Sequence, residues 1–172
     1  MAPVVQVLSR NNYKTSILSR FQMSPLLALA SSSIWTKSTI LPLTTSYFLH
    51  ARVGHMLGWW DVHPLPPSIL AEYWDPKKFG RISAWGYEEV VESNISGIEV
   101  GTLIFGYLPI GALPLEMEVK LSTNGLGRFF EVSKHWENQL PVYNRYLFYS
   151  PNSKKNRDGQ SQGYDSLMML WF

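Results

Sequence analysis

The chain has 172 residues, 45% of them hydrophobic, enough to bury one core. Its formal charge of +2 comes from 15 basic and 13 acidic residues with no basic stripe, which argues against a nucleic-acid partner; the absence of cysteine excludes disulfides, iron–sulfur ligation and any thiolate zinc site. No run of about eighteen apolar residues occurs, so no membrane-spanning helix is expected.

The first acidic residue is Asp61; before it stand Arg10, Lys14, Arg20, Lys37 and Arg52 among many serines and threonines. That composition also suits an organellar transit peptide, so a mitochondrial location is the alternative to the cytoplasmic one expected here. Residues 19–42 show no clear periodicity. Residues 47–60 carry Phe48, Val53, Met56 and Leu57 near helical spacing, which predicts a short helix or turn limited by Gly54 and Gly58. His63-Pro64-Leu65-Pro66-Pro67 is extended, because each proline restricts the residue before it. It forms either a rigid connection or a proline phrase that a peptide-binding domain would take. Residues 72–79 read as a polar loop.

Residues 80–109, GRISAWGYEEVVESNISGIEVGTLIFGYLP, are the most informative stretch. They read as two strands, a polar turn at Ser93-Asn94-Ile95-Ser96-Gly97 and a third strand, because Val, Tyr and Trp suit a pleated, half-buried surface. Residues 109–114 form a turn and 115–121 alternate as a strand. Thr123-Asn124-Gly125 is a hairpin-like turn, followed by a β-type run over 128–132. Residues 150–163 read as a mobile polar loop, and 164–172 as the opening of a helix. The 7 Trp, 9 Tyr and 8 Phe suit either a core packed with large side chains or an aromatic-lined pocket for a flat or apolar ligand.

The phrase at 80–109 resembles the GroES-like lobe of the medium-chain dehydrogenase/reductase superfamily. With residues 47–67 (YFLHARVGHMLGWWDVHPLPP), 80–118 and 140–149 (LPVYNRYLFY), about two-thirds of the chain is similar to an uncharacterised fungal and bacterial branch of that superfamily. The resemblance implies a mainly β protein, a GroES-like partial β-barrel without the dinucleotide-binding domain that follows it in the family. It divides the chain into an opening strand region (1–18), an irregular segment (19–42), the lobe (43–149), and a loop with a truncated helical start (150–172). Residues 19–42 lack the family pattern. A shifted reading frame across Ile34–Pro42 permits Leu-Asp-Lys-Ile-Asp-Asn-Phe-Ala, close to the family phrase, so a frameshift or mispredicted intron is expected there.

Neither G-x-G-x-x-G nor a P-loop occurs, so no cofactor is expected on this chain; NAD(P) would enter only with the further domain. The resemblance implies an incomplete reductase-like protein without independent catalysis, or else part of a complete NAD(P)-dependent, zinc-independent oxidoreductase. Its implied pocket residues are Tyr47, Trp59, Trp60, Tyr143 and Asn144. Tyr47 follows Thr44-Thr45-Ser46, where family members place residues near the nicotinamide; the asparagines expected there are missing. Trp59 and Trp60 lie where a cleft for a small apolar or carbonyl substrate would open, and Tyr143 and Asn144 at the hinge, where packing and hinge hydrogen bonding are the plainer roles. An exposed interdomain face, Tyr143–Phe148 with Leu167–Phe172, would favour self-association.

No catalytic residue and no metal site is assigned. His50, His55, His63 and His135 match no metal-ligand spacing and read as ordinary core or surface histidines. Glu88 and Glu89 point to opposite faces of a strand, whereas Glu116 and Glu118 share one. No G-x-S-x-G elbow supports nucleophilic catalysis.

Overall fold

A computed structural model describes residues 4–12, 14, 16–20, 28–41, 46–66, 69–123, 127–137 and 139–149. The strands are β1 (Val4–Ser9), β2 (Ser16–Arg20), β3 (Ser33–Ile40), β4 (Phe79–Gly80), β5 (Ser83–Ser93), β6 (Leu103–Pro109), β7 (Leu115–Leu121), β8 (Arg128–Glu131) and β9 (Arg145–Tyr149). Two helices, α1 (Ser46–Val53) and α2 (Trp59–Val62), lie between β3 and β4. The architecture is mainly β, as the sequence led us to expect.

Six strands close a barrel in the order β3-β5-β6-β9-β8-β7, every pair antiparallel. Side chains alternate across each strand. Ala84, Gly86, Glu88 and Val90 of β5 are buried toward the interior, while Glu89 and Val91 are exposed. The barrel core gathers Ile34, Val90, Ile98, Ile104, Leu108, Met117, Val119, Phe129 and Tyr146. Burying each large aliphatic or aromatic side chain contributes about 1.5–3 kcal/mol. Tyr146 and Phe129 stack at 5.1 Å. Gly86 and Gly106 face each other across β5 and β6, and a Cβ on Gly106 would strike the Tyr146 ring, so glycine is what lets that ring lie against the strand.

The stretch expected to be irregular is more ordered than its pattern suggested. Residues 33–40 form β3, which closes the barrel by pairing with β5 on one side and β7 on the other. Its pairing with β5 shifts register between Trp35 and Thr36 and again between Ser38 and Ile40. The opening strand region expected over residues 1–18 contains β1 and the start of β2, which pair as two antiparallel strands, with β4 on the other side of β1. The readings for residues 150–172 fall outside the described residues.

The three-stranded sheet packs beside the barrel. Val5, Val7, Ile69 and Leu113 form one apolar cluster; Leu8, Ala51, Trp60 and Ile82 form another under the helices. A backbone bond from Ala112 N–H to Val4 O at 3.0 Å ties the sheet to the barrel, and one from Arg10 N–H to Lys78 O at 2.8 Å extends the pairing of β1 with β4. α2 starts from Gly58 in the left-handed region (φ 68°), which glycine adopts without strain. The amide of Gln139 braces that turn by donating from Nε2 to Gly58 O at 3.0 Å.

Candidate functional site

The outward face of β5 and β6 is an aromatic platform. Register pairs Trp85 with Tyr107 and Tyr87 with Phe105. Their rings lie 5.7 and 5.0 Å apart, in cross-strand contact. Tyr143, from the turn before β9, packs on Tyr107 at 4.9 Å and on Trp85 at 6.1 Å. Trp59, at the start of α2, meets Tyr143 edge-on at 5.7 Å. Each such pair adds about 0.5–1.5 kcal/mol beyond area burial. The crevice at the platform's edge, lined by Trp85, Phe105, Val142, Arg145 and Leu147, has a free volume of about 10 Å³. That holds about one water, whereas small-molecule sites run to about 300–1,000 Å³.

Beneath the platform two histidines are buried. His50 Nδ1 lies 2.6 Å from the Tyr107 hydroxyl, and His63 Nδ1 lies 2.8 Å from Ser83 Oγ. Each ring's Nε2 is buried without a hydrogen-bond partner. Burial lowers His50 to about 4, with the Arg10 charge adding to it. His63 falls well below its ordinary value, first from burial and then from the charges of Arg81, His135 and His50. Both rings are therefore neutral around pH 7. A neutral imidazole offers one N–H and one lone pair. With Nδ1 engaged, the second nitrogen of each ring is left over as a donor or an acceptor.

Carboxyl groups nearby are displaced the opposite way. Glu131 is pushed up to about 8 by burial and by Glu118, against a hydrogen bond from Ser133. The Trp136 indole N–H donates to Glu131 Oε2. His135 Nε2 sits 3.5 Å from the other oxygen. Burial lowers His135, so near neutral pH this contact joins two uncharged groups and is no ion pair. Glu88 points into the barrel, where burial raises its pKa while hydrogen bonds from Thr36 and Ser38 and the charge of Arg81 oppose the rise. Glu89 is exposed on the opposite face, as strand alternation requires.

The residues singled out by sequence fall in different places. Trp59 and Tyr143 meet on the platform. Trp60 turns inward to 2% exposure, its ring edge against His50 at 5.2 Å and the Arg10 guanidinium 5.1 Å over its face. Asn144 stands at the β8–β9 junction instead: Nδ2 donates to Glu131 O at 3.1 Å, and its own carbonyl accepts from Glu131 N–H at 2.9 Å. Tyr47 lies in α1, and its side chain is outside the described ones. Sequence reading missed Tyr107, Ser83 and the pairing of His50 and His63 with them. Odd-numbered spacing from Ser83 through Trp85 to Tyr87 was the available signal for one outward face. No sequence signal brings the helices against it.

Among the described residues no group of three or more His, Cys, Asp or Glu side chains is arranged to hold a metal ion. Among them, too, no helix is long and apolar enough to cross a membrane. Neither the curated proteins nor the solved structures provide a match to this chain. Residues 41–172, well over half of the sequence, match a family described as a protein of unknown function (DUF2855), and the chain belongs to that family.

Proposed function

We propose that this chain is the substrate-side lobe of a reductase-like protein of medium-chain type, without catalysis of its own. The observation that carries the reading is the aromatic platform of Trp59, Trp85, Phe105, Tyr107 and Tyr143, whose crevice of about 10 Å³ is too small for a substrate. Small-molecule sites form preferentially where two domains meet, and a partly buried aromatic face of this kind becomes one wall of a pocket when a second domain closes over it. On this reading the second surface is a dinucleotide-binding domain, in the same polypeptide or from another chain. The completed pair would be an NAD(P)-dependent, zinc-independent oxidoreductase acting on a small apolar or carbonyl substrate. The neutral His50 behind Tyr107 would keep the hydroxyl oriented. Until the second surface arrives, Leu140 and Val142 beside the platform favour self-association. Size-exclusion chromatography is expected to show a concentration-dependent dimer or larger species, which a Val142→Glu change shifts to monomer.

The test follows the emission of the reduced nicotinamide, which responds to the surroundings of that ring. Titrating the purified chain with NADPH is expected to give no saturable emission change below about 1 mM, an affinity of roughly −4 kcal/mol. Addition of an aromatic aldehyde is expected to give no NADPH oxidation. A micromolar, saturable emission change, or turnover by the chain alone, would overturn the reading.

A further inference from the structure

A second concavity lies away from the platform, where β1 and α1 meet the loop before β4. It is an open cavity of about 560 Å³ lined by Arg10, Asn11, Ala51, Arg52, His55, Trp60 and Lys77. Three formal cations, a histidine and an asparagine amide share one wall system, and no acidic side chain among the described residues lines it. The chain's formal charge is only +2, so this local excess is not a by-product of overall basicity. The cations come from separate elements: Arg10 from the end of β1, Arg52 from the last turn of α1, and Lys77 from the turn before β4.

The first of these is fixed in place. Arg10 donates its backbone N–H to Lys78 O at 2.8 Å, lays its guanidinium over Trp60 at 5.1 Å and donates from Nη2 to Trp60 O at 3.3 Å. Asp61, at the exposed rim, meets the same Nη2 at 3.3 Å. Arg10 Nε is buried, so the guanidinium meets a ligand in the cavity through its terminal nitrogens, of which Nη2 already serves Trp60 O and Asp61. A guanidinium fork matches the oxygens of a phosphoryl group, and lysine serves as a point charge for the same group. Carboxylates share this preference, but a cavity of about 560 Å³ with three cations around it is larger than one carboxylate or one phosphate needs. Its size falls inside the range of small-molecule sites.

We propose that this basic pocket binds a small molecule carrying two or more phosphoryl groups, held by Arg10, Arg52 and Lys77 with Asn11 and His55 as further hydrogen-bonding groups. The site is separate from the platform. NADPH carries a diphosphate, so the NADPH titration above is repeated in saturating pyrophosphate: an emission change that pyrophosphate abolishes belongs to this pocket, and only one that survives counts against the reading of the platform.

Isothermal titration of the whole chain with pyrophosphate tests the proposal, with inorganic phosphate and a short DNA duplex as comparisons. The expected result is one saturable site for pyrophosphate with Kd of order 10–100 μM in low salt, and binding of inorganic phosphate about tenfold weaker or more. Both Arg52 and Lys77 are exposed, and thermal melts of Arg52→Gln and Lys77→Gln check that each variant keeps the fold. Each is expected to weaken pyrophosphate binding about fivefold or more, whereas Lys120→Gln, on exposed β7 of the barrel, leaves it unchanged. No saturation by about 5 mM pyrophosphate would overturn the proposal. So would equal weakening by Lys120→Gln, wild-type affinity in both pocket variants, or binding of DNA without binding of pyrophosphate.

Discussion

His50 and His63 are buried in a setting where each retains a single close polar contact at Nδ1, to Tyr107 and Ser83. Removing that contact while the ring stays buried leaves an imidazole with no satisfied nitrogen. Leaving such a group unsatisfied costs about 1–3 kcal/mol. Tyr107→Phe and Ser83→Ala each change little volume, so the lost contact dominates their effect. Each is expected to lower the melting temperature by several degrees, at about 2–4 °C per kcal/mol for a chain of this size. The two sites share the Tyr107 ring, since His63 lies 6.4 Å from it, so the double variant is expected to deviate from the sum of the singles. A melt unaltered by either change would mean that the histidines find other partners. The same two residues show the limit of reading chemistry from spacing: His50 and His63 are thirteen positions apart, and only the packing of the helices against β5 and β6 brings them under one tyrosine.

Among the elements, β5 and β6 were legible and β3 was not, for a definable reason. In β5 and β6 most interior positions are apolar or glycine, with Glu88 the exception in β5, and Trp85, Tyr87, Phe105 and Tyr107 supply aromatic, strand-favouring residues on the other face. In β3 the interior positions after Ile34 are Thr36 and Ser38, which donate to the buried Glu88 of β5. A strand whose inward residues are polar because a carboxyl waits across the barrel has no alternating hydrophobic signal. Glu88 itself was placed on the correct kind of position, opposite in facing to Glu89, but no pattern announced that its face was the inner one. The pocket residues fared similarly: Trp59 and Tyr143 come together, Trp60 faces the other way because the two neighbours point in different directions from a short helix, and Asn144 is consumed by backbone pairing. The interior of β6 gives a sharp test. Gly106→Ala would drive a methyl into the Tyr146 ring, which is fully buried and bonded through its hydroxyl to Tyr107 O at 2.9 Å. Overpacking of this kind costs about 1–3 kcal/mol. Gly101, with open space where a Cβ would stand, has φ at 85°, so its replacement by Ala destabilises through backbone strain alone. Urea melts would rank the two, and loss of near-ultraviolet aromatic ellipticity is expected only for Gly106→Ala.

Across the whole molecule, two buried histidines are pushed down and two buried carboxyls pushed up, and their protons set the pH range in which the fold is most stable. For His50 the unfolded value is 6.5 and the folded value about 4, and His63 moves in the same direction. Between those values the unfolded chain binds more protons, so stability falls as pH drops from 6.5 toward 4. For Glu131 the unfolded value is 4.5 and the folded value about 8, and Glu88 also moves upward. Here the native state holds the extra proton, so its contribution is complete below 4.5 and is lost as pH rises toward 8. Between pH 4.5 and 6.5 the two effects oppose each other. Above 6.5 the carboxyls act alone, and each contributes at most about 1.4 kcal/mol per pH unit. The melting temperature is therefore expected to peak between pH 4.5 and 6.5 and to decline toward pH 8. Glu131→Gln separates the two limbs, because the amide oxygen still accepts from Trp136 Nε1 while the titrating proton is gone. That variant is expected to shallow the decline between pH 6.5 and 8 and to leave the acid limb unchanged. A decline as steep in Glu131→Gln as in the parent would show that Glu131 does not carry it, and a lost acid limb would show that the substitution had disturbed the histidines as well.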